Sequence, residues 1–554
     1  MAISEFRSRE PERSAHRTRR KLTTERQRRI RPWHYALGVV VLLAAAVGAG
    51  VIALASSSAS LTADSSALAK VSMPLGGGQI KSVFVTGRDN RPIPVNVRGL
   101  QIWPTRTIPA HERLLVSVVV KRGSLSSIIN GSTERLSLSL LTPSASLRQH
   151  YLTIRSSAPL RLTFKQPIAL IKYGTPGAMR RRVLTTPQSV ITLGHVAPAG
   201  SMTVEASLRS WETARPALIS WFPAGAGASA VATPAPGTVL KPTTPITLTF
   251  NKPVGQALGS ARPPVSPITA GSWRTINSHA IRFVPTGYGY GLSTPVSIGL
   301  PHGVQLVGGK QTASSTTGTW SVPAGSTLRL QQLLSMLGYL PLSFKYAGSG
   351  VDLTPAAEEA AAVDPPKGSF SWRWSNTPSA LKNMWQAGTS GEMTKGAIMA
   401  FENNNDMTAD GIPGQQVWKL LIAAVLKDQK STFGYTFVQV SEGSPEGEQT
   451  WHNGRTVVSG AVNTGVAAAP TAQGVFTVFE HALSVTMEGT NPDGSHYDDP
   501  GVPYVSYFNG GDALHGFIRA SYGFPQSDGC VEMPYSEASQ VYPYTPIGTL
   551  VDVS

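Results

Sequence analysis

One cysteine stands in 554 residues, at position 530. No intramolecular disulfide is possible, so every folded module must hold by its core alone. Acidic residues are also scarce: 32 Asp and Glu face 48 Lys and Arg, a formal net charge of +16. The segment through His34 carries eleven basic and four acidic residues, so +7 sits there and +9 is spread over the rest. A moderately basic body suits an acidic envelope polymer and ordinary solubility alike. No stretch interleaves basic and aromatic residues on a helix face, and the arginine cluster abuts an apolar run, so nucleic acid is not expected as a partner. Metal-ligand clusters are lacking. The nearest approach to a phosphate loop, Gly308-Gly309-Lys310, has Val304 where its first glycine belongs. No metal and no cofactor are expected.

Long apolar runs are absent with one exception, residues 35–55 (YALGVVVLLAAAVGAGVIALA). This uncharged stretch has the roughly 20 residues a helix needs to cross a membrane. Basic residues crowd its N-terminal side, so residues 1–34 are expected to be a cytoplasmic tail and everything after the span to be exported. The small residues that follow, ALASSSAS, leave a cleaved signal peptide as the competing reading; the length of the apolar core favours a retained anchor.

What is present in abundance is turn chemistry, 54 glycines and 42 prolines, between short alternating runs such as LLVSVVVK, LRLTF and SVITL. These read as strands. A Ser/Ala-rich tether is expected at 56–71, one β-module at 72–222 and, after a Gly/Ala/Pro linker, a second β-module at 230–323. This second module resembles the immunoglobulin-like domains that often precede wall-modifying catalytic domains.

From Ser326 the period becomes helical. Leu330, Leu333, Leu334 and Leu337 lie at i, i+3, i+4 and i+7, and Gly338 follows as a C-cap. The order LQQLLSMLGY, AIMAFENNN, ADGIPG and VWKLL resembles the small three-helix peptidoglycan-binding domain, here at 326–427. It departs from that pattern between Tyr339 and Gly391, where a long segment holds Trp372, Trp374 and Trp385; these suit a sugar-stacking surface or, more commonly, a core.

Alternating strands return at 433–554. The lone thiol there follows Pro525, Ser527, Asp528 and Gly529, turn residues that place it at a loop end, where backbone N–H groups can face a developing oxyanion. An imidazole beside a thiol favours the thiolate, the nucleophile that acyl transfer from an amide needs. His515, 15 residues earlier, is within one strand and a return loop of Cys530, but His452, His481 and His496 compete as base on this chemistry alone.

The series SGAVNTG, PTAQGVF, the His515-Gly516 pair, Ser527-Asp528-Gly529-Cys530-Val531 and IGTLVDV is similar to the L,D-transpeptidase catalytic domain. That resemblance implies Cys530 as nucleophile and His515 as general base, oriented by the carbonyl of Gly516. It also gives Gly529 and Cys530 N–H groups the oxyanion role and Ser527 a supporting one; Tyr507, Phe508, Asp528 and Glu532 are candidate substrate-binding positions. The implied reaction releases D-alanine from a tetrapeptide stem and forms 3→3 cross-links, with a wall-binding scaffold and an L,D-carboxypeptidase as alternatives.

Two positions depart from the family. Asp528 stands where histidine is usual, and Glu532 where arginine or asparagine is; ionised carboxylates there oppose a thiolate unless a cation offsets them. The expected architecture is thus multidomain and mainly β: one transmembrane helix, β-sandwich modules, a small helical peptidoglycan-binding domain and a C-terminal β-rich catalytic domain. Its expected partners are peptidoglycan stems and glycan, and the membrane through one span.

Overall fold

The computed structural model describes residues 33–155, 158–225, 227–309 and 315–554. The basic tail expected at 1–34 lies outside the described residues as far as position 32, and so does Lys310. The chain divides into two compact units, one from Met1–Ser144 with Ser207–Arg215, the other from Ala145–Ala206 with Pro216–Ser554.

In the first unit Trp33–Ser56 forms one helix, of which Ala36–Ser56 is long and apolar enough to cross a membrane. The tether expected at 56–71 is folded instead. Ser60–Ala63 and Ala69–Ser72 pair antiparallel and join Gln101–Pro104 and Val95–Arg98 in a four-stranded sheet. In Ala69-Lys70-Val71-Ser72 the apolar side chains face the core and the polar ones face water, an alternation that small residues conceal. A three-stranded sheet of Gly78–Thr86, Arg113–Arg122 and Thr133–Leu141 shares that core through Val85, Leu114, Val116 and Val118.

The module expected at 72–222 is therefore not one body. Residues 145–206 and 216–223 belong to the second unit, where they build a five-stranded sheet with its own core around Phe164, Ile168, Ile191 and Trp221. The segment expected at 230–323 forms a five-stranded and a three-stranded sheet about Leu248, Phe250, Phe283, Ile298 and Trp320.

The helical segment begins with Thr327–Met336, and the four leucines picked out by spacing are each at most 2% exposed. Gly338 N–H donates to Ser335 O and Tyr339 N–H to Leu334 O, and Gly338 has φ +83°, the left-handed closure that a Cβ disfavours. Glu392–Asn403 and Gln415–Leu426 are the second and third helices of the expected pattern. The departure between the first and second helices is structured: strands Leu342–Tyr346 and Gly368–Trp372 pair antiparallel around helix Pro355–Val363. A buried ion pair, Arg329 with Glu358 (side chains 0% and 1% exposed), ties this insertion to the first helix. Trp372, Trp374 and Trp385 pack against the core, Trp374 edge-on to Trp451 and Trp385 against Phe370.

That core does not stop at 427. Tyr435, Phe437, Trp451 and Leu550 join the same apolar cluster as Leu333, Phe401 and Leu421, and Thr477 Oγ1 donates to Glu392 Oε2 at 3.0 Å. Buried side chains of this size contribute about 1.5–3 kcal/mol each. The helical and C-terminal segments, expected as neighbours at 326–427 and 433–554, are held by one interior.

Candidate active site

The C-terminal segment folds as two sheets. Five strands, Arg455–Ala461, Gly447–His452, Thr436–Ser441, Leu550–Val553 and Gly474–Thr477, make one; Glu480–Thr490, His496–Asn509, Asp512–Gly516 and Val531–Met533 make the other. The last two strands of the second sheet run parallel, with Leu514 opposite Val531 and His515 opposite Glu532. Alternation sends Leu514 and Val531 into the core and turns His515 and Glu532 to the other face. There, together with Cys530 just before its strand, they line a cleft of about 720 Å³.

His515 is 3% exposed, and its Nδ1 lies 3.1 Å from Gly516 O. A carbonyl only accepts, so Nδ1 carries the proton and the neutral ring keeps a lone pair on Nε2. Burial holds this imidazole below its ordinary pKa, while the Gly516 carbonyl and the charge of Glu532 pull the other way. The other three histidines of the domain lie elsewhere. His452 bonds Thr436 Oγ1 and Asn453, His481 stacks on Tyr542 at 3.8 Å, and His496 is exposed; none of them lines the cleft.

The Cys530 thiol is half-buried and donates to Gly511 O at 3.6 Å. Desolvation pushes it up to about 12; a backbone bond from Ala513 favours the thiolate, and the charges of Asp512, Glu532 and Asp528 oppose it. Among the described residues no hydrogen bond joins the thiol to His515. In this geometry burial favours the protonated thiol over the thiolate. Ser527, buried beneath the loop, donates to Cys530 O at 2.5 Å and accepts from Gly529 N–H at 3.3 Å, so the Gly529 donor faces Ser527 in this state. Gly529 has φ +114°, and a Cβ there would stand 2.6 Å from Asp512 Oδ1. Asp512 in turn accepts from Ala472 N–H and Asn509 Nδ2, both at 3.2 Å.

Of the four positions expected near substrate, Tyr507, Asp528 and Glu532 line the cleft and Phe508 does not. Phe508 is 3% exposed, in the core against Phe476, because consecutive strand residues face opposite sides. Glu532 is not an unpaired charge: Arg519 Nε and Nη2 each donate to one of its oxygens at 2.7 Å. Arg519, Asp512 and Asp499 were not singled out from the sequence, yet all three line the cleft. No motif marks them; an arginine thirteen residues before a glutamate becomes a partner only once the strands are in register.

Comparison with known families finds the YkuD L,D-transpeptidase catalytic domain at residues 442–553 and a peptidoglycan binding domain at 383–421. Among solved structures, a mutant L,D-transpeptidase of Enterococcus faecium is similar at 21% identity, over 25% of this chain and 62% of that one. The NMR structure of an E. faecium L,D-transpeptidase catalytic domain is 25% identical over 22% of this chain and 100% of its own. An L,D-transpeptidase from Mycobacterium smegmatis is 12% identical over 59% and 99%. The TM-score is 0.20 in each case. This chain thus spans less than two thirds of the first of these. No curated protein matches it.

Proposed function

We propose, on the premise that residues 442–553 match the L,D-transpeptidase catalytic domain, that the chain is a peptidoglycan L,D-transpeptidase with Cys530 as nucleophile and His515 as general base. The observation that carries this reading is that the chain's only thiol, at the entry to one strand, and His515, on the parallel strand beside it, line one cleft inside the matched segment. His515 Nε2 takes the thiol proton as Sγ attacks the carbonyl of the L-centred diamino acid in a tetrapeptide stem. D-alanine leaves with that proton, and a thioester remains. The side-chain amine of a second stem then attacks the thioester, giving a 3→3 cross-link and restoring the thiol. Because burial disfavours the thiolate, attack needs a positioned base to take the thiol proton. Water as acceptor would make the protein a carboxypeptidase instead, and a scaffold would do neither step.

The same reading makes Trp33–Ser56 a membrane anchor with the residues that follow it on the wall side and the N-terminal tail in the cytoplasm, and the helical segment a peptidoglycan contact. The test is intact-mass analysis of the detergent-solubilised chain after incubation with a carbapenem. One covalent adduct is expected, lost in Cys530→Ser; an unchanged mass in the folded protein would sink the catalytic reading. Stem-peptide products then separate transfer, seen as a dimer, from hydrolysis, seen as a tripeptide.

A further inference from the structure

Glu532 lies two residues past the thiol, and an unpaired carboxylate there would oppose its ionisation. Arg519 meets it from the segment that follows Asp512–Gly516. Besides its two bonds to Glu532, Nη2 reaches Gln526 O at 3.3 Å, and the guanidinium lies 4.7 Å from the Phe517 ring. The Glu532 side chain is 5% exposed and that of Arg519 is 31% exposed. The pair is bidentate and mostly out of water, the geometry in which an arginine and a carboxylate hold each other most firmly.

Glu532 is also the cross-strand neighbour of His515, on the same face of the sheet, and its charge is felt at the imidazole together with those of Arg519 and Asp499. The charges of Asp512 and Asp528 also bear on the thiol. Freed from Arg519, Glu532 would find an alternative partner in the imidazolium that forms when His515 accepts a proton. It would then occupy the ring nitrogen that the thiol proton needs, and its uncompensated negative charge would oppose the thiolate.

We propose that Arg519 is a positioning residue for the Cys530–His515 pair: its two-point clamp keeps the Glu532 carboxylate off the imidazole, so that Nε2 stays open to the thiol. What the pair does rests on the transpeptidase reading; how its charges are balanced does not. The cation that offsets Glu532 comes from a different segment, thirteen residues before it.

The test is the rate at which iodoacetamide alkylates Cys530, the only thiol of the full chain, at pH 8. At a pH below the thiol's pKa the rate follows the thiolate fraction, which changes about tenfold when that pKa moves by one. Arg519→Gln leaves Glu532 uncompensated and is expected to slow alkylation about tenfold. Glu532→Gln leaves the guanidinium uncompensated and is expected to speed it by about the same factor; the double variant returns to within about twofold of the parent, and Arg519→Lys, which keeps the charge, stays within about threefold. A purely structural role would loosen the cleft and speed alkylation in all of them, and that result, or a double variant that shows no compensation, overturns the proposal. If Arg519→Gln shows no cooperative thermal transition, Glu532→Gln and Arg519→Lys decide on the same scale. Because alkylation needs no turnover, a protein that shows these rates but releases no D-alanine from a stem peptide refutes the transpeptidase reading and leaves the charge balance standing.

Discussion

Five carboxylates, those of Glu488, Asp499, Asp512, Asp528 and Glu532, line a cleft whose thiol reacts as an anion. Glu532 is neutralised by Arg519 and Asp528 is exposed to water, which leaves Asp512 as the charge that weighs most directly on Cys530. Removing that charge and keeping its shape should favour the thiolate. Asp512→Asn is expected to raise the alkylation rate of Cys530 at pH 8 several-fold, and by about tenfold if the thiol pKa falls by one. Thermal unfolding should barely move, since one amide oxygen can still accept from Ala472 or Asn509. A slower rate would mean that Asp512 acts by shaping the Gly529 turn. At this scale the sequence exposed the groups whose chemistry is intrinsic, Cys530 and His515. It hid Arg519, whose role depends on register. Tyr507 and Phe508 were separable in advance, since one strand cannot send neighbouring side chains to the same face.

The short helix Tyr535–Val541 packs against Asp512–Gly516 and brings Glu537 beside Glu448 of Gly447–His452. Glu448 is buried, and desolvation, reinforced by Glu537, pushes its carboxyl from 4.5 up to about 8; Glu537 is raised as well. The folded form therefore holds a proton that the unfolded chain releases from about pH 4.5 upward, so stability from this group declines with rising pH until about 8 and then levels off. Glu448→Gln is expected to melt with the parent near pH 5 and several degrees above it at pH 8.5. A constant difference between the two melting curves across that range would refute the assignment. Elements with a strong period were legible, as the leucines of Thr327–Met336 illustrate. The strands at 60–63 and 69–72 were not, because serine and alanine carry too little apolar contrast to reveal which face is buried.

The larger arrangement was legible in order and illegible in connectivity. The turn-rich stretch between Leu426 and Thr436 marks a boundary along the chain, but the core runs across it. Tyr435, Phe437, Trp451 and Leu550 together represent about 6–12 kcal/mol of burial, comparable with the whole net stability of a domain. A fragment of residues 433–554 is therefore expected to aggregate or to melt far below the full chain, whereas residues 326–554 should stay monomeric and unfold in one transition. Size-exclusion chromatography and calorimetry of the two fragments would show it; a stable, monomeric 433–554 would disprove the common core. The same interior bears on descent. A helical segment that supplies part of the walls of its neighbour's core resists exchange as a cassette: a substitution at Leu333 or Phe401 is expected to disturb the packing of Phe437 and Trp451, and to be tolerated best with an answering change there.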